Sequence, residues 1–249
     1  MTRLIFTLLV CAVWPAPPAT QPSAAARILE RAIAAAGGTQ ALDAAPVLKW
    51  SAKATIHTAP GPLDIEGRWL IEPPDRAVVA TWESDKGESS VRRMLLDGAQ
   101  GWMERGPERT PMPATILANE RDQFYLYSVM RLVPLRDREI ELSADDAGTL
   151  LIRHPKRPDV EAFFDETGRL ARLRTSVSHP GNNSDIVQEM ILEGTISAGG
   201  VHWPRTIRIV QDGKPFFEMQ LIDFSVGSHE ELRKALSASP SSGAPRQAS

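Results

Sequence analysis

Apolar and polar residues alternate along most of this chain. Between residues 62 and 71, Leu63, Ile65, Gly67, Trp69 and Ile71 fall on one side, and Asp64, Glu66 and Arg68 on the other. A period of two marks a strand with one buried face and one wet face. The stretch before it repeats the pattern, with Trp50, Ala52, Ala54 and Ile56 against Lys49, Ser51, Lys53, Thr55 and His57. Further strands are expected over 76–84, 89–96, 101–105, 150–153, 160–164, 169–178, 187–196, 202–210 and 216–224. Turn residues separate them: Pro60-Gly61-Pro62, Pro73-Pro74-Asp75, Asp97-Gly98, Asp165 to Gly168, Gly181 to Asn183 and Asp212-Gly213-Lys214.

Four segments read as helical instead. Over 24–36, Ile28, Leu29, Ala32, Ile33 and Ala36 make one apolar stripe, and Gly37-Gly38 ends it. Thr39 is placed to cap a short second turn over 40–44. Residues 114–132 read as a helical insertion between two runs of strands, one helix or a broken pair, with Ile116, Leu117, Phe124, Tyr127 and Met130 lining one face. A short helix over 229–236 closes the chain, and the Ser-, Pro-, Ala- and Gly-rich stretch 237–249 reads as a disordered tail. Many short strands at regular spacing indicate a mainly β sandwich or barrel, one domain over 26–236.

The N-terminus changes the setting. Arg3 precedes an apolar run over 4–14 that is too short to span a bilayer, and prolines follow at 15, 17 and 18. Residues 1–25 therefore read as a signal peptide and the mature protein as exported. Cys11, the sole cysteine, lies in that run, so disulfides, cysteine metal sites and a cysteine nucleophile are excluded from the mature chain. Val10 stands where lipidation signals favour a small residue, which argues against an anchor at Cys11. A formal charge of −3 supplies no basic field for nucleic acid.

Candidate chemistry is sparse. The histidines at 57, 154, 179, 202 and 229 show no metal-ligand spacing. Ser176 and Ser178 beside His179 lack the glycines of a nucleophile elbow. Asp145-Asp146, and Glu161 with Asp165, read as solvated rims. Asn182-Asn183-Ser184 formally matches a glycosylation acceptor. No catalytic residue, metal or cofactor is assigned. Arg172 and Arg174 form the wet face of a strand, or else meet lipid headgroups or a partner's acidic patch.

Several short motifs occur in a fixed order: Gly37-Gly38, Pro74-Asp75-Arg76, Asp97-Gly98 with Gly101-Trp102, Asp165 through Gly168 to Leu170, and Gly200 through Trp203-Pro204. In these the chain resembles the LolA-like outer-membrane lipoprotein-sorting superfamily, over nearly all of its mature length. The resemblance implies an unclosed antiparallel half-barrel of about eleven strands, with helices covering a concave apolar cavity. It further implies a non-enzymatic role in binding lipid or lipoprotein acyl chains, with peripheral membrane contact and envelope proteins as possible partners.

The apolar strand faces have two readings, a packed core or a lined cavity. Trp50, Ile56, Ile65, Trp69, Trp102, Phe164 and Leu173 are the candidate ligand-binding residues. Trp102 and Trp203, beside glycine or proline near turns, read primarily as plugs of the barrel ends. A protein-interaction or envelope-sensor module on the same fold remains the alternative to a carrier; it requires a filled interior and a partner at the sheet edge.

Overall fold

The computed structural model describes residues 22–178 and 184–238. The expected signal segment with Cys11, the 181–183 loop with Asn182, His179 and the tail beyond Ala238 lie outside them. Helix α1 (Ala24–Ala35) and the short α2 (Thr39–Asp43) lead the described chain. Six strands follow: β1 (Leu48–Thr58), β2 (Gly61–Glu72), β3 (Arg76–Glu83), β4 (Arg92–Asp97), β5 (Gln100–Arg105) and β6 (Glu108–Pro111). Helix α3 (Ala114–Met130) separates them from β7 (Glu141–Ala144), β8 (Leu150–His154), β9 (Arg157–Phe164), β10 (Leu170–Ser178) and β11 (Asp185–Glu193). Then come β12 (Ile196–Ala198), β13 (Val201–Trp203), β14 (Thr206–Gln211), β15 (Lys214–Val226) and helix α4 (His229–Ser237).

Thirteen strands pair antiparallel in the order β6-β5-β4-β3-β2-β1-β15-β14-β11-β10-β9-β8-β7, and β12 pairs only with β13. The long β1 and β15 join the two runs at the centre. β6 and β7 end the sheet without meeting, so it is an open half-barrel.

Four strands exceed the expected set: β6, β7, β12 and β13. β6 is exposed at every residue, so it has no buried face to write alternation into the sequence. Gly194, at φ 63°, ends β11, and Pro204, which has no N–H to pair, separates β13 from β14. The strand expected over 89–96 begins instead at Arg92, because Gly87–Ser90 winds into a 3-10 turn. Thr39 does not cap α2: Gly38 occupies that position and makes no side-chain bond.

Alternation places Trp50, Ala52, Ala54, Ile65, Trp69 and Ile71 on the concave side, with Leu173, Met190, Ile207 and Met219 from the other strands. α1 adds Leu29, Ala32 and Ile33, and α3 adds Phe124, Leu126, Tyr127 and Met130 to the same cluster. Ala25 is buried in it, so packing begins inside the segment read as leader. The convex side buries a separate small patch, Val47, Val78, Leu95 and Leu232. That patch exists because α4 lies across β2, β3 and β4.

The motif pairs meet in space. A Cβ on Gly37 would sit 2.0 Å from the Gly200 carbonyl oxygen, so only a residue without one allows α1 to dock on the β12–β13 hairpin. The His202 N–H donates to the Ala36 carbonyl at 2.9 Å, fixing the hairpin that carries Trp203. Likewise the Gly98 N–H donates to the Asp75 carbonyl at 2.9 Å, joining the Pro-Asp-Arg and Asp-Gly turns.

Candidate functional site

The concave interior is filled by an aromatic stack. Trp50 and Trp69, opposite each other on β1 and β2, lie parallel with centroids 6.0 Å apart. Gly67 makes this possible: a Cβ there would stand 2.9 Å from the Trp69 ring. Trp203 tilts against Trp50 at 6.4 Å and stacks on Phe224 at 6.0 Å. From above, Tyr127 of α3 meets Trp50 at 5.7 Å, and Phe124 meets Tyr127 at 5.7 Å. The indole N–H groups of Trp50 and Trp203 are buried with no acceptor among the described residues.

A cavity of ≈ 240 Å³ persists at the end of this stack, between the end of α1 and the β9–β10 turn. Met130, Leu132, Leu192 and Trp203 give it apolar walls, and Asp165, Arg169 and His202 a polar rim. Arg169 Nη1 donates to Thr195 Oγ1 at 3.0 Å across that rim. Burial pushes the Asp165 carboxyl up, but bonds from the Thr167 hydroxyl and from the backbone N–H groups of Arg169 and Thr167 outweigh it and hold the carboxyl below its usual range. Leu132 is fully buried at φ 62°, a strained conformation for a bulky side chain.

α3 covers the interior unevenly. Every residue from 124 to 130 is buried, whereas those from 114 to 123 are exposed or only partly buried. Gln123 and Gln188 of β11 exchange amide bonds at 2.9 Å, and Gln211 adds a third to Gln188 at 2.9 Å. Gln188 is wholly buried, so this pair pins α3 to the sheet at one polar point in an apolar chamber. Glu120, one turn before Phe124, has its carboxyl pushed up to about 7 by burial. Burial also raises the Tyr127 hydroxyl well above its usual range, helped by the nearby Glu120 charge.

A strap crosses the outer side of α3. Asp75, in the β2–β3 turn, accepts from Arg157 Nη2 at 2.7 Å and from Arg121 Nη2 at 3.1 Å. Arg157 opens β9, and β1, β15, β14, β11 and β10 lie between β2 and β9 in the sheet. The two turns meet only because the sheet curls around α3. Arg157 also reaches the Arg121 carbonyl at 3.4 Å and lies 5.8 Å above the Tyr125 ring.

Of the residues singled out in the sequence, Trp50, Ile65, Trp69 and Leu173 are buried in the concave cluster, and Ile56 and Phe164 pack against it partly buried. Trp102 does not join them. It sits opposite Leu95 and packs on the convex patch under α4, because its neighbour Gly101 is the residue facing Leu117 of α3. Trp203, read as a plug, is central to the stack. Arg172 and Arg174 lie on the convex side, where Arg172 approaches Glu189 and Arg174 approaches Glu161 and Glu189. Among the described residues no group of three or more His, Cys, Asp or Glu is placed to hold a metal, and no helix is long and apolar enough to cross a membrane.

No family model matches the chain, and no curated protein matches it. Solved structures do. The chain is similar to a LolA superfamily protein from Nitrosomonas europaea, at TM-score 0.52 and 10% identity, over 82% of this chain and 94% of that one. It is similar to a putative outer membrane lipoprotein-sorting protein domain from Vibrio parahaemolyticus, at TM-score 0.50 and 8% identity, over 76% and 88% of the two chains. A DUF1329 family protein from Desulfovibrio piger matches at TM-score 0.52 and 8% identity, over 85% of this chain and all 100% of the other. At such identities the shared property is the fold.

Proposed function

We propose that this is an exported periplasmic binding protein that shelters an acyl chain or similar apolar ligand, free or carried on a lipoprotein, beneath α3, and performs no catalysis. One observation carries the reading: the concave chamber is predominantly apolar, and the helix that seals it is seated over only half its length. The cavity of ≈ 240 Å³ is the part of the chamber left unfilled. It falls below the roughly 300–1,000 Å³ of sites that hold a drug-sized ligand. A long chain therefore requires the 114–123 half of α3 to lift, which the strap at Asp75 opposes. Trp50, Ile56, Ile65, Trp69, Phe164 and Leu173 would form the wall, and Trp203 the end nearest the cavity. Each methylene buried contributes about 0.8 kcal/mol.

The aromatic filling of the interior favours a second reading, an interaction module without lipid cargo. Its free edges do not suit pairing with a partner strand: β6 and β7 have four residues each, and β6 ends in Pro111. Mass spectrometry of an organic extract of the purified protein separates the two readings. Stoichiometric lipid, displaced by added fatty acid, is the expected result. A clean chain that also takes up no offered lipid would support the interaction module.

A further inference from the structure

Behind the strap, on the side of α3 away from the aromatic stack, lies an open cleft of ≈ 650 Å³. Ala118, Arg121, Tyr125 and Ser128 form its α3 wall, spaced at three and four residues along one helical stripe. The His154–Arg157 turn forms a second wall and the Asp137–Ile140 segment a third.

Two polar atoms in this cleft are left over. Tyr125 is 4% exposed, and its hydroxyl is buried with no hydrogen-bond partner among the described residues. Arg121 spends Nη2 on Asp75, while its Nε–H is buried and equally unpaired. Each is a buried donor with no acceptor among the described residues, placed on the wall of the cleft where an entering oxygen would meet it. Burial pushes the Tyr125 hydroxyl up to about 12, which keeps its proton in place as a donor.

The charges are divided by wall. Asp75 is taken up by Arg157 and Arg121, and Asp122 leans toward Arg157 at 3.8 Å. That leaves Lys156, whose ammonium has no ion pair among the described residues, on the turn wall. On the third wall stand Asp137, whose carboxylate accepts from the Glu139 N–H and has no ion pair among the described residues, and Glu139. The cleft thus offers the Tyr125 hydroxyl, the Arg121 Nε–H and the Lys156 ammonium on one side, where Asp75 and Asp122 are taken up by arginines, and the Asp137 and Glu139 carboxylates on the other.

We infer that this cleft is a binding site for a zwitterionic group, an oxyanion carried next to an ammonium. The oxyanion takes the Tyr125 hydroxyl, the Arg121 Nε–H and the Lys156 ammonium; the ammonium turns toward Asp137 and Glu139. The site stands whether or not the chamber behind α3 accepts an acyl chain. Its ligand comes either free in solution or as the headgroup of a lipid.

The test follows the arginine Nε–H resonances of the folded chain by NMR, with Arg121 assigned by comparison with Arg121→Lys. Phosphoethanolamine, glycerol phosphate and a short-chain phosphatidylethanolamine are titrated separately. A saturable shift at Arg121 with phosphoethanolamine, weaker with glycerol phosphate, which lacks the ammonium, is the expected result and makes the source a free ligand. A shift with the lipid alone supports the site and makes the source a headgroup. Tyr125→Phe keeps the ring beneath Arg157 and should weaken binding by about tenfold. No saturable shift with either zwitterion, equal binding of glycerol phosphate, or a Tyr125→Phe chain that binds unchanged would each overturn the assignment.

Discussion

The two faces of the sheet are written with the same alternating code and do opposite jobs. On the concave face the apolar positions of most strands converge with α1 and α3 into one cluster around Trp50. On the convex face, positions facing water are joined by ion pairs such as Arg153–Asp159 and Arg174–Glu161, and one patch under α4 is buried. The difference locates the energy of the fold. Burying a large apolar side chain contributes about 1.5–3 kcal/mol, whereas an exposed ion pair contributes about 0–1 kcal/mol. It also bears on the proposed function, since the stable face is the one a ligand would have to enter.

The comparison can be broken hardest at its centre. Trp50→Ala removes the ring that touches Trp69, Tyr127 and Trp203. It should cost about 3–5 kcal/mol in urea unfolding. The convex face has one point of similar weight. Glu104 is buried between Arg93, 2.7 Å from its Oε2, and Arg109, whose Nε lies 2.6 Å from Oε1. The same arginines hold the Ala235 and Ala238 carbonyls at the end of α4. Glu104→Ala leaves both guanidiniums unbalanced. Because the arginines retain some water, the loss belongs at the lower end of about 3–5 kcal/mol.

Asp75→Asn unbuckles the strap without touching either face. Global stability should fall by about 1 kcal/mol, the scale of a partly exposed pair. Amide exchange over 114–123 should quicken more than over 124–130. Equal protection of both halves would mean that α3 does not hinge.

Glu120 sharpens the comparison through pH. Its folded carboxyl holds a proton up to about 7, whereas an ordinary one releases it at 4.5. The folded state therefore binds more protons between those values, and stability falls as pH rises through that window. Glu120→Gln should remove much of that fall, stabilising the chain above about 7 and changing it little below 4.5. The smallest effect belongs to the wet ladder: Arg174→Ala should stay within about 0.5 kcal/mol.

Much of this was legible in the sequence. The alternation from Trp50 to Ile56 and from Leu63 to Ile71 is the buried pattern seen in β1 and β2, and the helical stripe Ile28–Ile33 is the face α1 buries. What alternation omits is direction. Nothing local told Trp102 from Trp69; the choice was made by Gly101, whose bare backbone faces α3. Edge strands with no buried face, such as β6, left no period to read. Trp203 was visible through its motif, but its centrality depends on Gly37 meeting Gly200, residues 163 positions apart by number. The strap and the Tyr125 cleft were invisible, because Asp75, Arg121 and Arg157 come together only when the sheet curls.

The central claim is that the concave chamber opens to an apolar chain. Trp82 and Trp102 lie outside that chamber, on Arg68 and on the convex patch. With both changed to Phe, Trp50, Trp69 and Trp203 dominate the emission of the described chain. Titration with a brominated fatty acid should then quench that emission saturably at one equivalent, with tighter apparent binding in the Asp75→Asn background. Quenching that never saturates, or none at all in a folded chain, would contradict the account.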